Sequence, residues 1–425
     1  MMRIAVWHNL PSGGGKRALN DHVRGLLARG HEIEAWCPPT ADRSYLPLSE
    51  IVAEHVVPLP GFDARLQPAL LRRLYQARWN TWSQLRSMDR HCRECARQMH
   101  AKGFDILFAA SCILYHTPPI ARFVEIPRVL YLQEPNRPFY EAQPELLWPA
   151  LNWTAKDLFS FHFWRRSLMR RLRLPGIRVL AREERNSALA FDKILVNSFF
   201  SRESVLRAFG IDAKVCYLGV DTNHFANHNK PRESFVVSLG AIIPSKNIEF
   251  LVDAVGKVFA QLRPRLVLIA NTIDAAYLDR LKERADKSHV SIEVHHRIND
   301  TEIVDILNRA RLMLYAPRLE PFGYAPLEAC ACGTPVIATA EGGVRETVQH
   351  GINGLLVEHE PEAMGEAIER LIRDEKLHRL LSANAQELVK EKWSLEPSID
   401  RLERRLNERL GEGTSVTFNS VARNS

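Results

Sequence analysis

Short apolar runs alternate with helical patterns along the first half of the chain. The runs at Arg3–His8 and Glu32–Cys37 flank a helical pattern that extends from about Lys16 to Arg29. Further apolar runs occur at these positions: Ile106–Ala109, Val129–Leu132 and Lys193–Asn197. Strands that alternate with helices are typical of a parallel sheet covered by helices on both faces. The sequence therefore predicts a doubly wound α/β domain over residues 1–216.

The same alternation restarts in the second half. Phe235–Gly240 is predicted as a strand and Ile248–Arg263 as the helix that follows it. The strand series continues at these positions: Leu266–Ala270, Ile292–His295, Leu312–Ala316, Val336–Ala338 and Leu355–Val357. The pattern is interrupted between Tyr217 and Pro231, so we place the domain boundary there. We predict a second α/β domain over 217–391, a helix over 392–410 that crosses back to the first domain, and a flexible tail over 411–425.

The length of the chain agrees with two domains. One hydrophobic core rarely grows beyond roughly 250–300 residues, and the chain has 425. Ligands of open parallel sheets bind beyond the carboxyl ends of the strands. Two such domains predict a ligand-binding cleft between the carboxyl ends of both sheets.

The composition is that of an ordinary soluble protein, with 46% hydrophobic and 25% charged residues. No apolar run reaches the roughly 18–20 residues of a membrane span. The segment Met1–Leu10 is interpreted as a buried strand and not a signal peptide, because three glycines and then two basic residues follow it closely. We therefore expect a cytoplasmic protein.

Seven cysteines are scattered along the chain. Cys92 and Cys95 have C-x-x-C spacing, but they lie in a helical pattern and no second pair stands at zinc spacing. Core packing is favoured over a metal or redox role for this pair, and no disulfide is expected in a reducing compartment.

Basic residues are concentrated in the first half of the chain. Residues 1–216 contain 31 Lys and Arg against 20 Asp and Glu, and the remainder contains 26 against 30. The arginines cluster in two segments, Ala64–Lys102 and Asp157–Arg185. Nucleic-acid binding is not favoured, because no basic–aromatic binding module accompanies the charge.

The second Arg-rich segment has an amphipathic pattern. Four apolar residues fall on one helical face: Phe161, Trp164, Leu168 and Leu172. Four arginines lie largely elsewhere: Arg165, Arg166, Arg170 and Arg173. Such a helix is suited to an anionic membrane surface. The alternative is an ordinary helix that buries its apolar stripe on the sheet, and the sequence leaves both interpretations open.

Glycines follow the first predicted strand. Gly14 and Gly15, within the run Gly13–Gly15, precede a helix and can offer backbone N–H groups to an anion. The run is not a G-x-G-x-x-G motif, so a tight turn without a ligand is the alternative. In the second half, Gly240 ends a strand and Lys246 precedes a helix, where its ammonium group could neutralise a diphosphate.

Two glutamates, Glu320 and Glu328, stand eight residues apart around a predicted strand–loop–helix junction. Pro326 suits the first turn of the helix, since its missing N–H is harmless there. Backbone N–H groups at a helix N-terminus attract phosphate, and carboxylates accept hydrogen bonds from sugar hydroxyls. Helix stabilisation alone would explain Glu328 but not Glu320. The combination predicts a site for a nucleotide sugar.

This loop and several other segments resemble the retaining glycosyltransferases of family 4. Glu320-Pro-Phe-Gly-Tyr-Ala-Pro-Leu-Glu328 is similar to the E-x7-E motif of that family. The other segments that carry the resemblance are Gly333–Val336, Val196–Ser198, Tyr217–Asp221 with Phe225, Gly342–Glu346 and Gly351–Val357. The resemblance is strong over Lys193–Trp393 and weak over the first half. It implies the GT-B fold, in which two doubly wound Rossmann-like domains face each other across a cleft.

The resemblance also implies roles for single residues. Glu328 would hold the ribose hydroxyls of the donor, and Glu320 would contact the transferred sugar. Lys246, with the backbone N–H groups of Gly323 and Tyr324, would bind the diphosphate. The predicted donor-binding set is completed by Phe322, Gly240, Gly14 and Gly15.

Two positions depart from the family pattern. Ala241 stands where relatives commonly have an arginine, which removes one diphosphate contact. Gln133 stands where many relatives carry a histidine. His116 is the alternative residue to reach the sugar, although a structural role is equally compatible with its place before Thr117 and Pro118. Both Gln133 and His116 are retained as catalytic candidates.

The sequence thus predicts a hexosyltransferase similar to family 4. It would move a sugar, with retention of configuration, from a UDP- or GDP-sugar to a lipid-linked or glycan acceptor. The expected location is the cytoplasm or the inner face of a membrane. No metal or other cofactor is expected, since family members usually dispense with metal and no D-x-D-type site is present. The alternatives are a GT-B nucleotide-sugar epimerase and a non-catalytic sugar-nucleotide-binding protein.

Overall fold

The chain separates into two compact units. A computed structural model describes residues 1–60, 80–141, 154 and 160–415. The N-terminal unit is formed by the described residues of 1–196, 202–215 and 402–415. The C-terminal unit is formed by residues 197–201 and 216–401.

The N-terminal unit is built on a sheet of seven parallel strands in the order β3-β2-β1-β4-β5-β6-β7. The strands are β1 (Arg3–Asn9), β2 (Glu32–Cys37), β3 (Ala53–Val56), β4 (Ile106–Cys112), β5 (Arg128–Tyr131), β6 (Lys193–Val196) and β7 (Lys214–Val215). The helices that precede or connect them are α1 (Gly14–Ala28), α2 (Asn80–Lys102), α3 (Arg137–Tyr140), α4 (Phe161–Leu189) and α5 (Phe199–Phe209).

The C-terminal unit is built on six parallel strands in the order β10-β9-β8-β11-β12-β13. They are β8 (Phe235–Leu239), β9 (Arg265–Ala270), β10 (Ile292–His296), β11 (Leu312–Tyr315), β12 (Val336–Thr339) and β13 (Gly354–Val357). The helices are α6 (Ile248–Lys257), α7 (Ala275–Lys287), α8 (Asp300–Arg309), α9 (Tyr324–Ala331), α10 (Val344–Thr347), α11 (Pro361–Arg373) and α12 (Glu375–Leu388). A last helix, α13 (Leu395–Ser415), begins in this unit and belongs to the N-terminal unit from Leu402.

Each sheet owes its stability to strands that are apolar on both faces, as expected for parallel strands covered by helices. In β1 the residues from Ile4 to Trp7 are fully buried, and all four residues of β11 are buried. Helix α6 ends at Lys257, six residues before the predicted end, because Val258 takes an extended conformation and closes the helix with a bond from its N–H to the Val255 carbonyl.

The order of strands places a reversal point in each unit. In the N-terminal unit the order reverses between β1 and β4, and in the C-terminal unit it reverses between β8 and β11. Parallel sheets leave a crevice at such a point, beyond the carboxyl ends of the strands. The segments that follow β1, β4, β8 and β11 are therefore the places where each unit can bind a ligand.

Helix α13 runs through five residues that were predicted as tail, Gly411–Ser415, and residues 416–425 lie outside the described part of the chain. Within the N-terminal unit, Glu403 on this helix accepts hydrogen bonds from Arg29 at 2.8 Å and pairs with His31 at 2.9 Å. The part of the Arg-rich segment 64–102 before residue 80 and most of residues 142–159 also lie outside the described chain. Among the described helices, none combines the length and the apolar content that a membrane span requires.

Candidate functional site

The two predicted catalytic groups of the C-terminal unit lie in contact. Lys246 follows β8 and Glu320 follows β11, so both stand at the reversal point of the sheet. The Lys246 Nζ atom donates to Glu320 Oε2 at 2.8 Å. The two residues are 74 positions apart in the chain and meet because β8 and β11 are neighbours. The pair places one positive and one negative group at a partly exposed point of the crevice.

The loop that carries Glu320 is held by a glycine turn from the next strand. The backbone N–H of Gly343 donates to the Glu320 carbonyl at 2.7 Å. A Cβ atom at Gly342 would lie 2.4 Å from that carbonyl oxygen, and one at Gly343 would lie 2.0 Å from the Pro321 carbonyl oxygen. Only glycine permits this approach, which gives the Gly342–Gly343 pair of the family pattern a positioning role that sequence reasoning did not identify.

A serine pair holds the same loop from another side. The Ser198 hydroxyl donates to the Pro321 carbonyl at 2.5 Å, and the Ser201 hydroxyl donates to Asn197 Oδ1 at 2.7 Å. These residues belong to the C-terminal unit although they follow β6 in the chain. The Val196–Ser198 segment therefore acts on the position of Glu320 through the backbone of Pro321.

Helix α9 begins directly after the loop. Gly323 precedes it with φ of +90°, a conformation that favours glycine, and a Cβ there would meet the Thr347 Oγ1 atom at 3.2 Å. The Tyr324 hydroxyl donates to the Gly219 carbonyl at 2.6 Å. Glu328 is buried in the second turn of the helix. The arrangement leaves the first backbone N–H groups of α9 directed beyond the helix start, as an anion site requires.

Phe322 was predicted to bind the donor, and its side chain is taken up by packing. The ring is buried and makes an edge contact with Trp393, at 5.6 Å between ring centroids. Only its backbone remains to meet a ligand. An aromatic residue next to an apolar helix is typical of a core position. That pattern could have identified Phe322 as a core residue, although it was predicted to bind the donor.

The strand β8 ends with open space. A Cβ at Gly240 would meet no atom within 4 Å, so the backbone at this point is accessible to a ligand. In the loop after β11, Arg318 donates to Glu341 at 2.8 Å. Glu341 Oε1 lies 3.6 Å from the His359 ring, whose pKa is lowered by burial and by the charge of Arg318. Arg318 was not selected from the sequence, and it supplies a positive group in the same loop as Glu320.

In the N-terminal unit, the predicted glycines and Gln133 lie together. Helix α1 begins at Gly14, and a Cβ at Gly15 would lie 2.7 Å from Gln133 Nε2. The side-chain amide of Gln133 thus rests against the backbone of the glycine turn. No local pattern predicts this contact, which joins the segments that follow β1 and β5.

His116 lies in the loop after β4 with φ of +43°, a strained conformation for a residue with a side chain. Its carbonyl accepts a hydrogen bond from the Cys112 N–H at 2.9 Å, which closes the loop back onto the strand. Burial lowers the pKa of the His116 ring, and the charge of Arg137 adds to this effect. The ring is therefore neutral at pH 7.

One group of side chains in the described chain has the spacing of metal ligands. Ligand atoms of His8, Cys37 and Glu54 lie within 4.8 Å of one another, and His8 Nε2 contacts Glu54 Oε1 at 3.0 Å. Burial and the charge of Glu54 raise the pKa of Cys37 to about 12, so its thiol is protonated. Lys16 is fully buried beside this group and interacts electrostatically with Glu54. The Lys16 amine would repel a metal cation bound to this group, so we assign no metal site to it.

The cysteine pair in α2 lies in the hydrophobic core. Cys92 and Cys95 are buried and free, and burial raises the pKa of both thiols. Such thiols are poor ligands and poor nucleophiles.

Other segments of the family pattern are structural. Glu346 accepts hydrogen bonds from the backbone N–H groups of Phe199 and Phe200 at 3.0 and 3.1 Å, and thereby caps α5. Asn353 accepts from the Gln349 N–H at 2.7 Å and donates to the Thr347 carbonyl at 2.9 Å. These residues hold the loops around the site without facing a ligand.

Comparison with known proteins finds similarity to glycosyltransferases. Residues 220–388 match the family of glycosyl transferases group 1. An uncharacterized glycosyltransferase of Methanocaldococcus jannaschii is 30% identical over 210 residues, which are 49% of this chain and 57% of that protein. The alpha-1,3/1,6-mannosyltransferase ALG2 of Homo sapiens is 28% identical over 291 residues, 60% of this chain and 68% of that protein. The chain thus spans 57% of the length of the first of these relatives and 68% of the second.

Solved structures resemble the whole chain. The crystal structure of HepE from Anabaena in complex with UDP-glucose has a TM-score of 0.68 and 19% identity, over 96% of this chain and 100% of that chain. The predicted fold is confirmed: two parallel-sheet α/β units of the GT-B type. The match to the family of glycosyl transferases group 1 covers residues 220–388 and agrees with the predicted glycosyltransferase over this part of the chain.

Proposed function

We propose that the protein is a retaining glycosyltransferase that uses a nucleotide-diphosphate sugar as donor. The observation that carries the proposal is the contact between Lys246 and Glu320 beside the start of α9, at the reversal point of the sheet. HepE, which has the same fold, was crystallised with UDP-glucose, and ALG2 is named a mannosyltransferase. These names support a hexosyl donor, with UDP as one possible carrier, and a GDP-sugar is the alternative that we propose beside it.

In this proposal the diphosphate takes the place of Glu320 as the partner of Lys246. The ammonium group and the N–H groups of Gly323 and Tyr324 then face the charge that develops as the bond from the anomeric carbon to the diphosphate breaks. Groups fixed in advance where charge develops stabilise a transition state strongly. Lys246 and these amides supply the positive charge in this scheme, so we propose that the reaction proceeds without a resident metal.

Once the diphosphate occupies Lys246, Glu320 would accept hydrogen bonds from hydroxyls of the transferred sugar. Glu328 would accept hydrogen bonds from the ribose of the nucleotide. The acceptor hydroxyl forms its bond to the anomeric carbon on the face that the diphosphate leaves and passes its proton to the departing diphosphate oxygen, so the configuration is retained. Gln133 and His116 are the acceptor-side candidates, and the neutral His116 ring can accept or donate one hydrogen bond.

A donor panel tests this proposal. The full chain is incubated with UDP- and GDP-linked glucose, mannose and N-acetylglucosamine, with a mixed glycan and lipid-linked acceptor fraction, in buffer that contains EDTA. We expect release of the nucleotide from one donor and a product whose anomeric configuration, read by NMR, equals that of the donor. An inverted product, or release only after Mg²⁺ is restored, would contradict the retaining, metal-independent mechanism.

The same assay separates the alternatives. A nucleotide-sugar epimerase would interconvert sugars on the nucleotide without an acceptor, so a new sugar nucleotide in that control would favour it. A non-catalytic binding protein, suggested only by Ala241, would bind a donor and release no nucleotide with any acceptor.

Glu328→Ala is expected to raise KM for the donor by about tenfold or more, because the carboxylate that accepts hydrogen bonds from the ribose hydroxyls is lost.

We further propose that helix α4 brings the enzyme to the inner face of a membrane, where a lipid-linked acceptor would be available. Three of the four apolar residues of the predicted face are exposed: Phe161, Trp164 and Leu168. Leu172 is half-buried, and the neighbouring Arg165 and Arg166 are exposed. Exposed aromatic and aliphatic side chains next to arginines support insertion between anionic lipid headgroups.

A further inference from the structure

A cavity in the N-terminal unit lies outside the site described above. It has a volume of about 110 Å³, is lined by the first turns of α2, the last turns of α4 and the loop after β4, and is partly open to solvent. One water takes up about 30 Å³ of liquid volume, so the cavity holds about four waters. Because one side is open, the cavity can receive part of one sugar ring with its hydroxyls, and it is too small for a nucleotide.

Two buried polar atoms of the cavity wall, Glu184 Oε2 and the Thr117 hydroxyl, form no hydrogen bond of normal geometry with the described residues. Glu184 is only 3% exposed; its Oε1 accepts from the Asn136 N–H at 3.0 Å, and its carboxyl group also interacts with the Tyr140 hydroxyl. Buried polar atoms almost always have partners. Both atoms therefore indicate a polar occupant of the cavity.

The charges around the cavity nearly cancel. Arg122 and Glu183 form an ion pair at 2.8 Å. Burial raises the pKa of the Asp89 carboxyl group, and the positive charge of Arg122, which acts in the opposite direction, offsets only part of this effect. Burial also raises the pKa of Glu184 to about 8, so its carboxyl group is protonated at neutral pH and can donate as well as accept. Donors and acceptors without excess charge suit a neutral ligand with hydroxyl groups. A phosphate would be repelled by the carboxylates.

An aromatic side chain completes the wall. Trp82, in the first turn of α2, lines the cavity and is 47% exposed. The Arg182 guanidinium stands 5.9 Å from its ring centroid and steadies the indole. An indole offers a flat apolar surface, against which the C–H face of a pyranose can pack. An aromatic plane beside hydroxyl-binding groups is the combination that a sugar ring requires.

We propose that this cavity binds one neutral sugar ring, with Trp82 against its C–H face and with Asp89, Thr117 and Glu184 on its hydroxyls. The loop after β4 links the cavity to the acceptor-side candidates, because Thr117 directly follows the strained His116. The bound ring would then be a sugar of the acceptor glycan. This identification of the ring rests on the proposed function, whereas the binding itself does not.

Calorimetric titration of the full chain without a donor tests the proposal. The probes are the methyl glycosides of glucose, mannose and N-acetylglucosamine. We expect one of them to bind with a Kd of about 1 mM or tighter, a common range for one small ligand. Trp82→Ala should weaken it by at least about tenfold and Trp82→Phe less, since the ring face is retained. Leu189→Ala, at an exposed position of α4 outside the cavity wall, should leave the Kd unchanged.

Thr117→Val provides a second variant with nearly the same shape, in case Trp82→Ala lowers the thermal unfolding midpoint. It should weaken the same glycoside severalfold by removing the hydroxyl. The proposal is overturned if no glycoside binds, or if binding is the same in folded Trp82→Ala and Thr117→Val proteins. Nucleotide release without glycoside binding would refute this inference alone, and glycoside binding without transfer would refute the proposed enzyme alone.

Discussion

Gly343 packs so closely on the loop of Glu320 that an alanine there must displace the loop. The new Cβ atom would lie 2.0 Å from the Pro321 carbonyl oxygen and 2.6 Å from the carbonyl carbon. Carbon and oxygen atoms in close contact normally stand about 3.3–3.6 Å apart. The clash therefore requires a movement of more than about 1 Å, which also strains the hydrogen bond from the Gly343 N–H to the Glu320 carbonyl.

The cost of Gly343→Ala comes from this clash alone. Gly343 has φ of −75°, which alanine adopts freely. Overpacking typically destabilises by about 1–3 kcal/mol. A displacement of about 1 Å at a catalytic group can cost on the order of 10²-fold in rate. We expect a fall of this size in kcat/KM for nucleotide release, together with a modestly lower thermal unfolding midpoint.

Gly210→Ala is the matched control. Gly210 has φ of +73°, and a Cβ there would meet no atom within 4 Å. Alanine at such a position costs about 1–2 kcal/mol of backbone strain without touching the site, so kcat/KM should stay at the wild-type value. If Gly343→Ala retains wild-type kcat/KM and unfolding midpoint, the loop is not positioned by the glycine turn and the reasoning fails.

Further outcomes follow from single groups. Lys246→Ala should lower kcat by about 10²-fold through lost charge stabilisation but cost only about 0–1 kcal/mol of stability, since its ion pair with Glu320 is partly exposed; an unchanged kcat would contradict its role. Burial raises the Glu184 pKa from 4.5 to about 8, so the folded state holds a proton that the unfolded state loses, and stability falls as pH rises from about 5 to 8. Glu184→Gln should remove this fall and raise the free energy of unfolding at pH 8, measured with denaturant, by at most about 5 kcal/mol. Parallel pH profiles of stability in the two proteins would refute this role of Glu184. Arg165→Gln with Arg166→Gln should weaken binding to phosphatidylserine vesicles about fivefold per arginine, and no binding of the wild type at low salt would exclude the membrane role.

The parts of the fold that could be predicted are those with an apolar periodicity of their own. The buried strands β1, β8 and β11 were found within one or two residues of their predicted ends. β3 was not predicted, because Ala53–Val56 is an edge strand in which no residue is fully buried. β7 has only two residues, too few for any period.

The positions of Lys246 and Glu320 could be predicted because each follows a recognisable strand of one sheet. The contacts that hold them could not. The Ser198 hydroxyl and the Pro321 carbonyl are 123 residues apart, and no local pattern announces that they meet. The same holds for Gln133 against Gly15, and for the Glu184 cavity, whose walls come from three separate segments of the chain.

Nucleotide release by Glu320→Ala, beside a matched glutamate, tests the central claim most directly. Glu369 in α11 is a suitable control, because its side chain is 17% exposed and ion-paired with Arg373, while that of Glu320 is 18% exposed and ion-paired with Lys246. With the donor identified by the panel, kcat/KM should fall by about 10²-fold or more in Glu320→Ala and stay near the wild-type value in Glu369→Ala. Equal rates in wild type and Glu320→Ala would contradict the assignment of this site as the centre of sugar transfer.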